Sequence, residues 1–163
     1  MRPFVPLMLS AAALAAFGTA GGSAADPAYK HLLANDPGRC AAGSAVKVEI
    51  SGITPAKGTL RVQLYRSTAQ DWLQKGHWLN RVEVPVHAGS TTVCMPVPGP
   101  GTYGIAVRHD VNGNGQTDIR TDGGGMSNNP PISILNLGKP SYKKTAFTVG
   151  NEVKAIAIRM RYF

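Results

Sequence analysis

The residues best suited to chemistry lie in one short stretch, "HDVNGNGQTD", residues 109–118. Asp110, Asn112 and Asn114 recur at every second position, Gly115 follows, and Asp118 closes the run. Calcium takes six to eight oxygen ligands, and a short loop supplies them when carboxylates and amides alternate so that their side chains converge. The Gly permits the sharp turn that convergence requires. Counting from Asp110, the backbone carbonyl of Gln116 falls at the seventh position and Asp118 at the ninth.

The spacing matches the start of an EF-hand-like or dockerin-like calcium loop, but not all of it. Position twelve, where that pattern places a bidentate acid, is Thr121, and Asp122 comes one residue late. Asp110, Asp118 and Asp122 bring three negative charges. That is enough for a weak site of the extracellular kind, on the order of 10⁻⁴–10⁻³ M. The expected metal set is therefore Asp110, Asn112, Asn114, Gln116, Asp118 and Asp122, with calcium as the ion. A second reading stands beside it, because Asn-Gly pairs tolerate positive φ and "NGNG" can simply reverse the chain. His109 at the end of a strand reads as a polar edge residue, not a transition-metal ligand.

The next segment, "IRTDGGGMSNNPP", residues 119–131, carries three successive glycines. Such a run can turn backbone N–H groups toward an anion, or can simply form a tightly bent loop. Ser127, Asn128 and Asn129 are the candidate ligand-binding residues there. Ser127 has no G-x-S-x-G turn around it and no assignable base, and His31, His77 and His87 are scattered, so no catalytic constellation emerges. The chain reads as non-enzymatic.

The elements that must position these residues are strands. Apolar residues alternate with polar ones in 46–50, 60–64, 82–86, 93–97 and 103–107, and again in "YKKTAFTV" and "VKAIAIRMRYF". In the last of these Ile156, Ile158, Met160 and Tyr162 share one face. About seven strands separated by "SGITPAKG", "HAGS" and "VGNE" predict an all-β fold. The expected form is an antiparallel β-sandwich, immunoglobulin-like or transthyretin-like, with a closed barrel as the alternative. "PVPGPGTYGIAV" places Tyr103 at a strand start as in a tyrosine corner, a structural role. Residues 67–81 break the alternation; Trp72, Leu73, Trp78 and Leu79 are expected on the buried side of a short helical crossing, with the tryptophans as lids.

Residues 1–25 have the form of a signal peptide: a positive start at Arg2, an apolar run, then "GGSAA" before Asp26. The apolar part is shorter than the roughly 20 residues of a spanning helix. Residues 26–45 form an irregular leader, and 46–163 a single sandwich domain. A periplasmic or secreted protein with only Cys40 and Cys94 predicts one disulfide, worth about 4 kcal/mol in the chain-entropy model. The formal charge of +8 is spread without dense basic runs or interleaved aromatics, which argues against a nucleic-acid partner. Partners are expected instead among envelope polymers or other proteins. The alternative function is metal-independent binding of an anionic or carbohydrate ligand by the Gly-rich loop 122–129 and the basic surface.

The string from "GTYGIAVRHDVNGNGQTD" through "DGGGMSNNP" resembles the bacterial family called domain of unknown function 2141. Its pattern, G-x-Y-A-x-x-x-x-H-D followed by D-x-N-x-N-G-x-x-D, is met here with Gly104 in place of Ala and "GGGMSNN" in place of a Gly-Phe-Ser-Asn run. "GTLRVQLY" and Pro140-Ser141-Tyr142 also fit, and the resemblance spans about residues 46–162. It implies a sandwich fold and export, and no established activity.

Overall fold

The computed structural model describes residues 29–41, 43–131 and 138–162; the expected signal peptide lies outside them. Nine strands and two short helical turns lie among the described residues. In chain order they are β1 (His31–Leu33), a 3-10 turn (Pro37–Cys40), β2 (Ala45–Ile53), β3 (Thr59–Arg66) and β4 (Asn80–Pro85). Then follow β5 (Gly89–Pro96), β6 (Gly101–Asp110), β7 (Gly123–Met126), α1 (Tyr142–Thr145), β8 (Phe147–Val149) and β9 (Lys154–Arg159). One sheet runs β1-β4-β3-β6-β7, with β8 also on β6, and the other runs β5-β2-β9.

Alternation decides which faces meet. Leu60, Val62 and Leu64 of β3, Val82 of β4, and Ile105 and Val107 of β6 point inward from the first sheet. They face Val46, Val48 and Ile50 of β2, Val93 and Met95 of β5, and Ile158 of β9. Most of these are fully buried, each worth about 1.5–3 kcal/mol of transfer free energy. The Cys40–Cys94 disulfide ties the 3-10 turn to β5. Tyr103 makes the expected corner, its hydroxyl donating to the Gly99 carbonyl at 2.8 Å.

Several expectations are corrected. The sheets are mixed, because β1 joins β4 and β9 joins β2 in parallel. The leader is not wholly irregular: Lys30 and His31 donate backbone N–H groups to Trp78 and Leu79, and β1 thereby extends the sheet edge. The first half of "YKKTAFTV" is α1, and only Phe147–Val149 is strand. Residues 67–78 form successive turns in place of a helical crossing. Within them Asp71 accepts from the Tyr29 and Thr68 hydroxyls and pairs with His77, so the segment is held by a side chain. Trp72 is a lid as expected, edge-on to Tyr65, with Nε1 donating to Pro140 O at 2.8 Å. It lies so close over Gly104 that a Cβ there would sit 2.6 Å from the ring, which accounts for the Gly.

The largest departure is β7. Its glycines form a strand, not a loop, although strand interiors disfavour Gly. The reason is space. A Cβ on Gly123 would lie 2.3 Å from Tyr162, and one on Gly125 2.8 Å from Ile158, whereas Gly124 faces open space. Gly124 and Arg161 exchange two backbone hydrogen bonds, both 2.9 Å, so the C-terminal segment joins the two sheets at one corner.

Gly123→Ala and Gly125→Ala should therefore each lower stability by about 1–3 kcal/mol through overpacking. Gly124→Ala should be nearly neutral. Urea denaturation midpoints of the three variants check this ordering.

Candidate functional site: the loop from β6 to β7

β6 ends at Asp110 and β7 begins at Gly123, so residues 111–122 connect two neighbouring antiparallel strands. A connection this long needs internal ties to hold one shape. Asp110 provides the first: its carboxylate, buried at the strand end, accepts from Gly113 N at 2.9 Å and Gly115 N at 2.8 Å. Both glycines have positive φ, 71° and 77°, so the chain coils around that carboxylate. Asn112 Oδ1 accepts from Asn114 N, and Asn114 Oδ1 from Gln116 N, two successive Asx turns. Asp122 closes the far end, accepting from Val111 N at 3.1 Å and Asp118 N at 3.0 Å.

Three of the expected ligands meet at one atom. Asn112 Nδ2 and Asn114 Nδ2 both donate to Asp118 Oδ2, at 2.9 and 2.7 Å. These two bonds hold the Asp118 carboxyl below the usual carboxylate range. Asp110 lies on the inner side of the same coil, and Gln116 enters through its amide. Asp122 does not join them; it is buried and committed to two backbone N–H groups. Among the described residues no three His, Cys, Asp or Glu side chains surround a common point. The available donors are carboxylates and amides together.

Arg108 was not apparent as part of the site. Its guanidinium donates to Asp110 Oδ2 (3.2 Å), Gly115 O (3.0 Å) and Thr117 Oγ1 (3.0 Å), placing a positive charge inside the coil. The signal for it was present: in a strand, residues two apart share a face, so Arg108 had to lie beside Asp110.

His109 is no polar edge residue. It is fully buried, and both ring nitrogens are bonded, Nε2 to Lys57 O and Nδ1 to Tyr162 Oη, each at 2.7 Å. A carbonyl only accepts, so Nε2 carries the proton. Tyr162 Oη accepts from Thr54 N at 3.0 Å and donates to Nδ1, which completes the chain of bonds.

The second candidate group is also internal. Ser127 is fully buried, its Oγ accepting from Ile105 N (3.0 Å) and donating to Thr145 O (2.6 Å), so it cannot be presented to a ligand. Asn128 and Asn129 are exposed, but their side-chain amides are engaged. Asn128 Nδ2 donates to Ala146 O, while Asn129 bonds Arg159 N and Ala157 O. The glycine N–H groups are no anion nest either, since Gly124 N is bonded to Arg161 O and the run pairs with β6.

Residues 48–157 match the family model described as an uncharacterized protein conserved in bacteria (DUF2141). The chain belongs to that family. The matched segment holds β3 to β8 entire, most of β2, part of β9, and the whole of the 110–122 loop. No curated protein and no solved structure matches the chain.

In chelator, Asp110→Ala and Asp122→Ala should each cost about 1–3 kcal/mol, the first by taking the carboxylate from the largely buried Arg108 guanidinium and the second by leaving the buried Val111 N–H unpaired. Asp118→Ala, at the surface, should leave the denaturation midpoint nearly unchanged. Chemical unfolding of the three variants measures the contrast.

Proposed function

We propose that this protein is an exported, non-enzymatic β-sandwich module whose 110–118 loop takes a calcium ion and so stiffens a surface that docks another protein or an envelope polymer. One observation carries the reading: Asn112, Asn114 and Asp118 converge on a single point of a loop already coiled around Asp110. The ion would draw on the side-chain oxygens of Asp110, Asn112, Asn114 and Asp118 and on the Gln116 carbonyl. Because amide nitrogens do not ligate calcium, the two Asn side chains must turn their oxygens inward. That rearrangement, with Arg108 already beside Asp110, argues for weak binding of the extracellular class. Asp122 supports the loop without ligating. The disulfide is compatible with export, and no helix among the described residues is long and apolar enough to cross a membrane. Burial of Ser127 leaves the loop region without an accessible hydroxyl nucleophile at that position.

A second reading rests on Arg108. Its three bonds to loop oxygens supply a built-in cation, and the loop then keeps its form without metal.

Thermal melts in millimolar calcium, magnesium and chelator separate the two. The first reading expects a melting-temperature rise specific to calcium that Asp118→Ala abolishes. No rise, or an equal rise in that variant, leaves the Arg108-braced loop as the answer. The calcium-dependent part should also depend on pH. Asp118 has a lowered folded-state pKa, so its ionised form persists below the ordinary carboxylate range. Calcium stabilisation should be full above that range and lost as pH falls through the lowered value, as melts across an acid series would show.

A further inference from the structure

We propose that the outer face of β3, β4 and β6 is an oxyanion-binding site built on Arg61, Arg81 and Arg108, distinct from the Asp118 end of the loop. Pleat alternation puts Arg61 and Gln63 of β3, Arg81 and Glu83 of β4, and Arg108 of β6 on the side away from the core. Register then crowds them. Arg61 stands directly across from Glu83 on one side and from Arg108 on the other, and Gln63 stands across from Arg81. Like charges directly opposite in a sheet destabilise it. Here they are also held down against the surface, with side-chain exposures of 23 %, 21 % and 16 % for Arg61, Arg81 and Arg108.

Among the described residues two carboxylates are in direct contact with the three guanidiniums, and Asp122 acts on Arg108 from further off. Glu83 accepts from Arg61 Nε at 2.7 Å and lies 3.7 Å from Arg81 Nη1, while Asp110 serves Arg108. The Nε atoms of Arg81 and Arg108 are buried with no hydrogen-bond partner among the described residues. Arg81 is pressed over the Trp78 ring, 4.0 Å from its centroid, which orients its guanidinium plane. Burial, then repulsion from Arg61, works against the charge on Arg81 and on Arg108. Like charge concentrated on an outer face is stabilised by an external acceptor bearing several oxygens, which would meet the guanidinium edges and not the buried Nε atoms. Guanidinium forks suit sulfate, phosphate or carboxylate for that purpose. The ligand is thus a sulfate- or phosphate-like group, either free or carried as an ester on an acidic polymer. The site gives the basic surface a specific address, where the glycine run has no free donors.

The test is tryptophan fluorescence of the disulfide-bonded protein in chelator, titrated with sodium sulfate, with dextran sulfate, and with neutral dextran, sodium chloride matching ionic strength. Trp78 reports because Arg81 covers its ring. Wild type should show a saturable emission change with sulfate or dextran sulfate and none with neutral dextran. Arg61→Gln, which leaves the Arg81–Trp78 stack in place, should weaken it at least tenfold, Arg61→Lys less, and Asp118→Ala not at all. At least tenfold tighter binding per sulfate group for the polymer identifies a polymer-borne ligand; equal binding identifies a free anion. A change reproduced by chloride alone, no saturable change, or wild-type affinity in folded Arg61→Gln overturns the proposal. Failure of the calcium melts leaves this result unaffected, because no metal is present.

Discussion

The fold turns on a single buried ring. His109 sits at the end of β6 with both nitrogens bonded, one to the turn between β2 and β3 and the other to the C-terminal Tyr162. Leaving a buried polar group unpaired costs about 1–3 kcal/mol, so three chain segments far apart in sequence must arrive together. Tyr162 in turn receives Thr54 N–H and lies against Gly123, which brings the start of β7 into the same lock. Asp110, the next residue, begins the loop. The loop is thus launched from the most constrained point of the sheet, and its shape follows from that origin more than from its own flexibility.

Around this point the molecule uses polar side chains as substitutes for backbone. Asp110 and Asp122 satisfy N–H groups that no strand partner reaches. Asn129 meets the backbone of β9 as one residue of a neighbouring strand would, covering an edge that could otherwise recruit another chain. Ser127 does the same between β6 and the end of α1. Residues of types often read as reactive are here consumed in holding the sandwich together.

Arg108 connects the two surfaces on which function is proposed. Toward the loop it neutralises Asp110 and grips two further oxygens; toward the sheet it stands across from Arg61. A cation seated near Asp118 and an anion seated over Arg61 and Arg81 would pull this guanidinium in opposite electrostatic directions. The two sites are therefore separable by substitution and still share one charge.

What the sequence alone determined was whatever depends on near neighbours. Period-two alternation assigned β2 to β6 and β9, because pleating sends adjacent side chains to opposite faces whatever the partner. The Asp110–Asn112–Asn114–Asp118 spacing foretold the coiled loop, since Asx turns form within two or three residues. Tyr103 and the Cys40–Cys94 pair were legible for the same reason or from composition. Tertiary structure decided the rest. β7 was unreadable because its glycines answer to Tyr162 and Ile158, more than 30 residues away in sequence. The parallel pairing of β1 and β9 is a choice of partner, which alternation does not encode. Asp122, Ser127 and Asn129 resemble ligand residues in sequence, and only the folded positions of backbone groups show that their hydrogen bonds are already made.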